Sequence, residues 1–583
     1  MKTAILLNSG RLLASMTLLV CLAATATAAV PGITGPTFNL TAQPASINQP
    51  DGESVYSWGY GCSGVPTGTL PAALGPVPCP TMQVPGPTLI VNEGQTVTVT
   101  LTNQLPTPAG NTSILFAGFT LTSTACSSGA VQGLLTCEAP PGHAVTYTFV
   151  ASAPGTHAYY SGTQGDLQIE MGLYGAVVVL PKSVPANCTS GYHALNLTSK
   201  ATWGEPDFRL SQAAYDHPGT CYDREYLFQW AEMDSRIHKE ALAQVTALTG
   251  CAPGTEGCSL SVQTEPYHPA YFLINGRSMP DLMDPNFAGE YPHQPYNANP
   301  HMHPGELSLI RTIGQGRWQH PFHEHANHVR ILARDANLVL TSTAASCSGS
   351  TAAAPVQGCV TYSSGLATDT PVTAPGLAGI LMFNTDTTPG ESFDGIFYFT
   401  GRGLNWDPYA HHPGSSDPLA TLPCTPDVNG YNSGAPTALN FMEWCQDHNK
   451  PIQANPFGDV PAGGPVTLPD PNVFTNGAWY GGSLYLGPDA TLRGNAPACV
   501  GSPYGPANPT TPSGGAGTPA VNTSNCTNLN PSNLQLNPAN ERGWAFMWHS
   551  HNEREITTNN VFPGGMLMMM LVDTREFVID EHL

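Results

Sequence analysis

Charged side chains are scarce in this chain: they make up 10% of its 583 residues, and 19 Lys and Arg against 41 Asp and Glu leave a net charge of −22. Binding to phosphate backbones or anionic membrane surfaces needs clustered Lys and Arg, so nucleic acid is excluded as a partner. Long apolar runs are also lacking. Beyond the N-terminal stretch no segment approaches the ~20 apolar residues of a bilayer-crossing helix, so no membrane span is expected. The fifteen cysteines include no C-x-x-C pair of the kind that builds zinc sites, and no serine sits in a glycine-framed nucleophile elbow. What the chain has instead is 60 Gly and 56 Pro. That balance favours short strands and many turns, and the length predicts two or three domains.

The first residues, MKTAILLNSGRLLASMTLLVCLAATATAA, place Lys2 and Arg11 before an apolar run that ends in small residues. This pattern is that of a secretory signal with a cut after Ala28; Val20 before Cys21 makes a lipoprotein cut the poorer choice. An exported protein, periplasmic or extracellular, is therefore expected. Fourteen cysteines remain, and they fall into sequence neighbours: 62 and 79, 126 and 137, 188 and 221, 251 and 258, 347 and 359, 424 and 445, 499 and 526. An even count in an exported chain implies disulfides, with nearest-neighbour pairing the simplest arrangement. If all fourteen pair, no thiolate is left for a metal.

Two stretches dominate the chemistry: HPFHEHANH from His320 to His328, and WHSHNERE from Trp548 to Glu555. In a strand, histidines two residues apart share a face, and neutral imidazole is the commonest protein ligand for copper and zinc. The stretches resemble the third and fourth histidine motifs of the multicopper oxidases, H-P-x-H-x-H and H-C-H-x-x-x-H, with Ser550 where that family has its cysteine. Met82 to Pro106, containing the alternating VTVTLTN, resembles the opening of a multicopper oxidase first domain. There, however, the first motif H-W-H-G is replaced by LFAG, with Leu115 and Ala117 at the ligand positions. The second, Y-H-S-H, has Tyr160 and Gly162 in the histidine places, and His157 falls out of register.

The resemblance implies an all-β fold of two cupredoxin-like Greek-key β-sandwich domains, with a long loop-rich insertion in the second. The expected boundaries are 1–28 for the signal, 29–185 for a first domain that has lost its copper ligands, and 186–583 for the second. A link rich in small and polar residues opens the second domain, and the insertion covers about 404–540, including the low-complexity PANPTTPSGGAGTPAVNTSN. Copper is the implied cofactor. Its expected ligands are His323, His325, His549 and His551, with His320, Glu553 and Glu555 as additional candidates if the strand runs on past His551. Glu324 points to the opposite face. Without the cysteine a type 1 copper is not expected, because that site needs a thiolate for fast one-electron transfer. His301, His303, His411 and His412 match no family motif and read as surface residues. The methionines at 566, 568, 569 and 570 read as core packing.

Three functional readings follow. The first is an exported copper-binding protein with a reduced histidine site, storing copper or running a slow redox reaction. The second is a structural, self-assembling β-sandwich that has lost oxidase activity; two-domain relatives in the family are often trimers, which implies a homo-oligomer. The third, a hydrolytic use of Ser550, ranks last for want of an elbow and an ordered acid. The catalytic residues and the substrate stay unassigned by the sequence.

Overall fold

The computed structural model describes residues 30–399 apart from 123, 124, 203, 253 and 352, then 423–438, 440–445, 482–485, 543–573, 578, 579 and 581, with backbone alone at 344, 345, 482–485, 543 and 544. The signal segment, His411, His412, Cys499, Cys526 and most of the 404–540 insertion lie outside these residues.

Strand periodicity explains the first half. In Thr96–Asn103 the sequence TVTVTLTN buries Val97, Val99 and Leu101 and turns its threonines outward. This strand lies between Ala144–Val150 and Thr37–Asn48, with Ser54–Cys62 beyond, forming a four-stranded sheet. Facing it is a six-stranded sheet whose centre is Leu89–Asn92, Tyr174–Leu180 and Gly155–Tyr160. Phe38, Leu40, Trp58, Val97, Val99, Tyr147 and Phe149 from the first sheet meet Leu89, Val91, Tyr159, Val177 and Val179 from the second. Strand neighbours are non-consecutive in the chain, and Leu89–Asn92 runs parallel to Tyr174–Leu180, as Greek-key connections produce.

A second sandwich follows. Its inner sheet runs Tyr271–Ile274, Arg224–Met233, Leu307–Gly314, Ser392–Tyr398 and Val329–Arg334; its outer sheet runs His301–Met302, Leu567–Asp573, Gly543–Ser550, His320–Glu324 and Asn384–Thr387. Tyr226, Phe228, Trp230, Phe393 and Phe397 fill the space between them with Phe322, Phe546, Trp548, Met568 and Met570.

The two sandwiches stack as four layers. Tyr174–Leu180 and Arg224–Met233 are buried at every position, the signature of strands covered on both faces. Ile90, Ala158, Ala176 and Val178 of the first sandwich pack on Leu227 and Ile313 of the second. A polar lock crosses this seam. Arg311 donates to Glu225 at 2.6 Å and to Thr156 Oγ1 at 3.0 Å, while Asp394 accepts from Thr156 at 2.6 Å and from Tyr215 at 2.5 Å.

Two helices depart from the sequence reading. The link contains Gly191–Thr202, and Ser235–Ala247 begins where Asp234 accepts the Arg236 N–H at 3.0 Å and so caps an otherwise free donor. Among the described residues six disulfides join the nearest-neighbour pairs from Cys62–Cys79 through Cys424–Cys445.

Candidate metal centre

The outer sheet of the second sandwich positions both histidine stretches. His320–Glu324 pairs antiparallel with Gly543–Ser550, setting His323 opposite His549, Phe322 opposite Ser550 and Glu324 opposite Trp548. Since Phe322 and Trp548 are anchored in the core, alternation sends His323 and His549 to the face turned away from it. His325 lies just past the strand end, where the chain turns through Ala326 at φ 85°. It is fixed by its own backbone: its amide donates to the Met547 carbonyl at 3.3 Å, and its carbonyl accepts the Trp548 indole N–H at 3.0 Å.

Ring nitrogens of His323, His325 and His549 converge within 4.8 Å of one another, and all three residues are buried. His551 joins from the exposed side, its ring 4.9 Å from that of His323 and 5.7 Å from that of His549. His549 Nδ1 donates to the Ser550 carbonyl at 2.7 Å, which leaves its Nε2 as a lone pair directed at His325 Nε2, 3.3 Å away. The neutral Nε2–H tautomer of His325 donates to that lone pair, and a cation held by both nitrogens would replace this hydrogen bond. Burial disfavours the charged imidazolium form of His323 and His549. It lowers His323 to about 4, helped by the neighbouring His549 and His551, and it also lowers His549, against the opposing hydrogen bond to Ser550. The Nδ1 of His323 is buried without a hydrogen-bond partner. A compact set of neutral nitrogen donors of this kind fits a borderline transition-metal ion.

On the inner face of the same strands a different structure occupies the remaining predicted positions. His320 is fully buried, with Nδ1 2.9 Å from Glu555 and Nε2 2.9 Å from Glu232. Burial alone would lower its pKa, but the two carboxylates outweigh it and hold the imidazolium up at about 9. Ser550 donates to the same Glu555 oxygen at 2.5 Å, and Asn552 donates to the other at 2.9 Å. His320 and Glu555 therefore have their polar atoms committed to each other and do not join the histidine cluster. The Ser550 hydroxyl donates to a carboxylate rather than to a histidine base, the wrong partner for a nucleophile. Glu553 is not brought to the cluster either. The strand ends at Ser550, the Glu555 amide turns back to the Asn552 carbonyl at 2.8 Å, and Glu553 lies exposed in that turn. Glu324 faces the core as expected, accepting from Thr385 at 2.7 Å, with its pKa raised by burial.

Sequence reasoning missed Glu232, which no motif marks, and Phe383, whose half-exposed ring lies 5.7 Å from His323. It also misplaced His301 and His303. Both are buried rather than on the surface, held by Asp573 at 2.7 Å and Glu205 at 2.8 Å. His303, Glu205 and Glu306 gather their ligand atoms within 4.8 Å, but Arg224 pairs with both glutamates and Lys200 lies 2.9 Å from Glu306. Burial would raise Glu205; Arg224 and His303 overcome it and hold that carboxyl at about 2. Cations from the protein already fill this second cluster.

In the first sandwich the positions expected to have lost their ligands are taken up by packing. Leu115 pairs with Tyr160 across two strands, and a side chain at Gly162 would meet Leu115 at 2.7 Å. Tyr160 packs into the seam between the sandwiches, and the His157 ring packs at a tilt against Phe119, centroids 4.3 Å apart.

Comparison with known proteins gives the following likenesses. Residues 77–184 match the family model described as multicopper oxidase. Laccase abr2 of Aspergillus fumigatus is 37% identical over 100 residues, 17% of this chain and 16% of that protein. Laccase 1 of Metarhizium robertsii is 26% identical over 207 residues, 35% of this chain and 30% of that protein. L-ascorbate oxidase of Brassica rapa is 37% identical over 97 residues, again 17% and 16%. The matched stretches thus span 16% to 30% of these relatives' length. Among solved structures, a blue copper oxidase from Nitrosomonas europaea aligns over 92% of this chain and 85% of its own, at 14% identity and a TM-score of 0.38.

Proposed function

The chain is multicopper-oxidase-like, and from that premise we propose that it is an exported copper-binding protein whose metal is held by His323, His325 and His549, with His551 as the outer fourth ligand. The convergence of three buried imidazoles within 4.8 Å carries this reading. Copper bound there would supply one-electron redox chemistry. The protein's own contribution is to keep His323 and His549 neutral by burial, to fix the His549 tautomer through the Ser550 carbonyl, and to orient His325 through Trp548 and Met547.

A type 1 copper is absent from this proposal, because the three positions that would hold it, His320, Ser550 and Glu555, are bonded to one another. Without a thiolate relay, a reducing substrate has to meet the metal directly. Any oxidoreductase activity is then slow and confined to molecules that reach His551. Phe383 is exposed beside His323, and Ile380 and Leu381, which pair with Val329–Arg334 of the inner sheet, are exposed next to it in the chain; these apolar side chains support homo-oligomerisation, trimeric by family resemblance, and the second reading of a structural, self-assembling β-sandwich.

The test is metal content per chain after export through the native signal, copper loading and desalting, with a His323→Ala/His549→Ala double variant alongside. Retention of about one copper per chain that is lost in the variant, without an intense blue band, is expected for a mononuclear histidine site. Equal metal in both proteins, or none in either, removes the copper reading and leaves the structural one.

A further inference from the structure

The methionine run near the C-terminus divides between two faces. Met566, Met568 and Met570 are fully buried in the core of the second sandwich, as the sequence suggested. Met569 alternates to the other face, where it is half-buried and lies opposite Met547, itself half-buried. Among the described residues neither belongs to a packed core cluster. Partners across an antiparallel ladder hold their Cβ atoms about 5 Å apart, and the flexible methionine side chain lets the two sulfurs approach further. A third thioether arrives from the turn Asp281–Met283, where Met283 is half-buried and rests against the rim of the core. Met283 Sδ accepts the Met569 N–H at 3.4 Å, on a stretch of strand edge that His301–Met302, paired only at Leu571 and Val572, does not cover.

Met547 links this trio to the histidine cluster. Met547 precedes His549 by two residues on the same face, a step of about 7 Å along a strand, and its carbonyl holds the His325 amide. Thioethers are neutral, soft ligands that select Cu(I) over harder ions.

We propose that Met283, Met547 and Met569 form a Cu(I)-binding site from which the ion passes to His323, His325 and His549. The transfer is a ligand exchange: sulfur–metal bonds break as nitrogen–metal bonds form, the ion stays monovalent, and no oxidant or reductant is consumed. The loading role rests on the copper reading of the histidines; the thioether site itself does not.

The experiment is a titration of protein carrying 13C-labelled methionine methyl groups with Cu(I) under anaerobic conditions, repeated with Ag(I) as a redox-inert soft cation. One equivalent is expected to shift the methyl signals of Met283, Met547 and Met569 and to leave those of Met566, Met568 and Met570 in place. In competition with a coloured Cu(I) chelator, the volume-conserving Met547→Leu/Met569→Leu variant is expected to bind one Cu(I) fewer. The methyl shifts persist in the His323→Ala/His549→Ala variant, so loss of metal at the histidines cannot be mistaken for failure at the sulfurs. Unmoved signals from Met283, Met547 and Met569, or unchanged Cu(I) stoichiometry in the leucine variant, overturns the proposal.

Discussion

Glu555→Gln tests whether a buried ion network has taken over the interior positions. The substitution keeps the size of the side chain and an acceptor for Ser550, but it removes one of the two carboxylates that flank His320. An unfolded histidine titrates near 6.5, whereas His320 in the fold is held at about 9. Folding thus stabilises the protonated ring. The benefit is fully present below pH 6.5 and is lost as pH rises through 9. That gap corresponds to about 3 kcal/mol for a group with no exposed surface. With Glu232 retained, the variant should lose roughly half, about 1.5 kcal/mol, at pH 6, and the difference from wild type should close by pH 9.5. Guanidinium unfolding followed by tryptophan fluorescence at pH 6, 8 and 9.5 measures this, and taking the difference between the two proteins cancels titrations elsewhere. A difference that stays constant with pH, or grows with it, refutes the charged network.

Three further outcomes are expected. Because burial depresses the pKa of His323 to about 4 and also lowers that of His549, bound copper should survive acidification to pH 5 and leave only as pH approaches 4; equilibrium dialysis across that range checks it. Trp548→Ala removes a fully buried ring packed on Phe322 and Phe397, together with the indole bond to the His325 carbonyl. It should cost about 3–5 kcal/mol in denaturant unfolding and weaken copper binding beyond that of a control core variant. Arg311→Met leaves Glu225 and Asp394 buried beside an apolar chain, and should destabilise the seam by about 3–5 kcal/mol; a loss under 1 kcal/mol would show that Arg311 is not their principal partner.

What the sequence disclosed was local in the chain. The alternation of TVTVTLTN gave a half-buried strand, neighbouring cysteines formed neighbouring disulfides, and the two histidine stretches fell on paired strands with His323 opposite His549. What stayed hidden depended on distant partners. Glu232, the second carboxylate on His320, lies 88 residues away, and Glu205, which holds His303, lies 98 away. No periodicity encodes such pairings, so two buried histidines read as surface ones. Glu553 failed for another reason. Its spacing was right, but Asn552 bonds the Ser550 hydroxyl through its amide and diverts the chain into a turn before the alternation can continue. Met569 looked like its neighbours until the register revealed which residue lay across from it.

The four-layer stack makes the molecule directional. The strands Thr96–Asn103 and Ala144–Val150, each with one face turned outward, form one outer wall and the histidine face forms the other, with two buried sheets between them. Tethering the protein to a matrix through the first wall would therefore orient every copy alike, presenting the histidines to the medium while hiding nothing they need. Tethering through the second wall would silence the chain without unfolding it. A cell that anchors or assembles this protein faces the same choice of which side to turn outward.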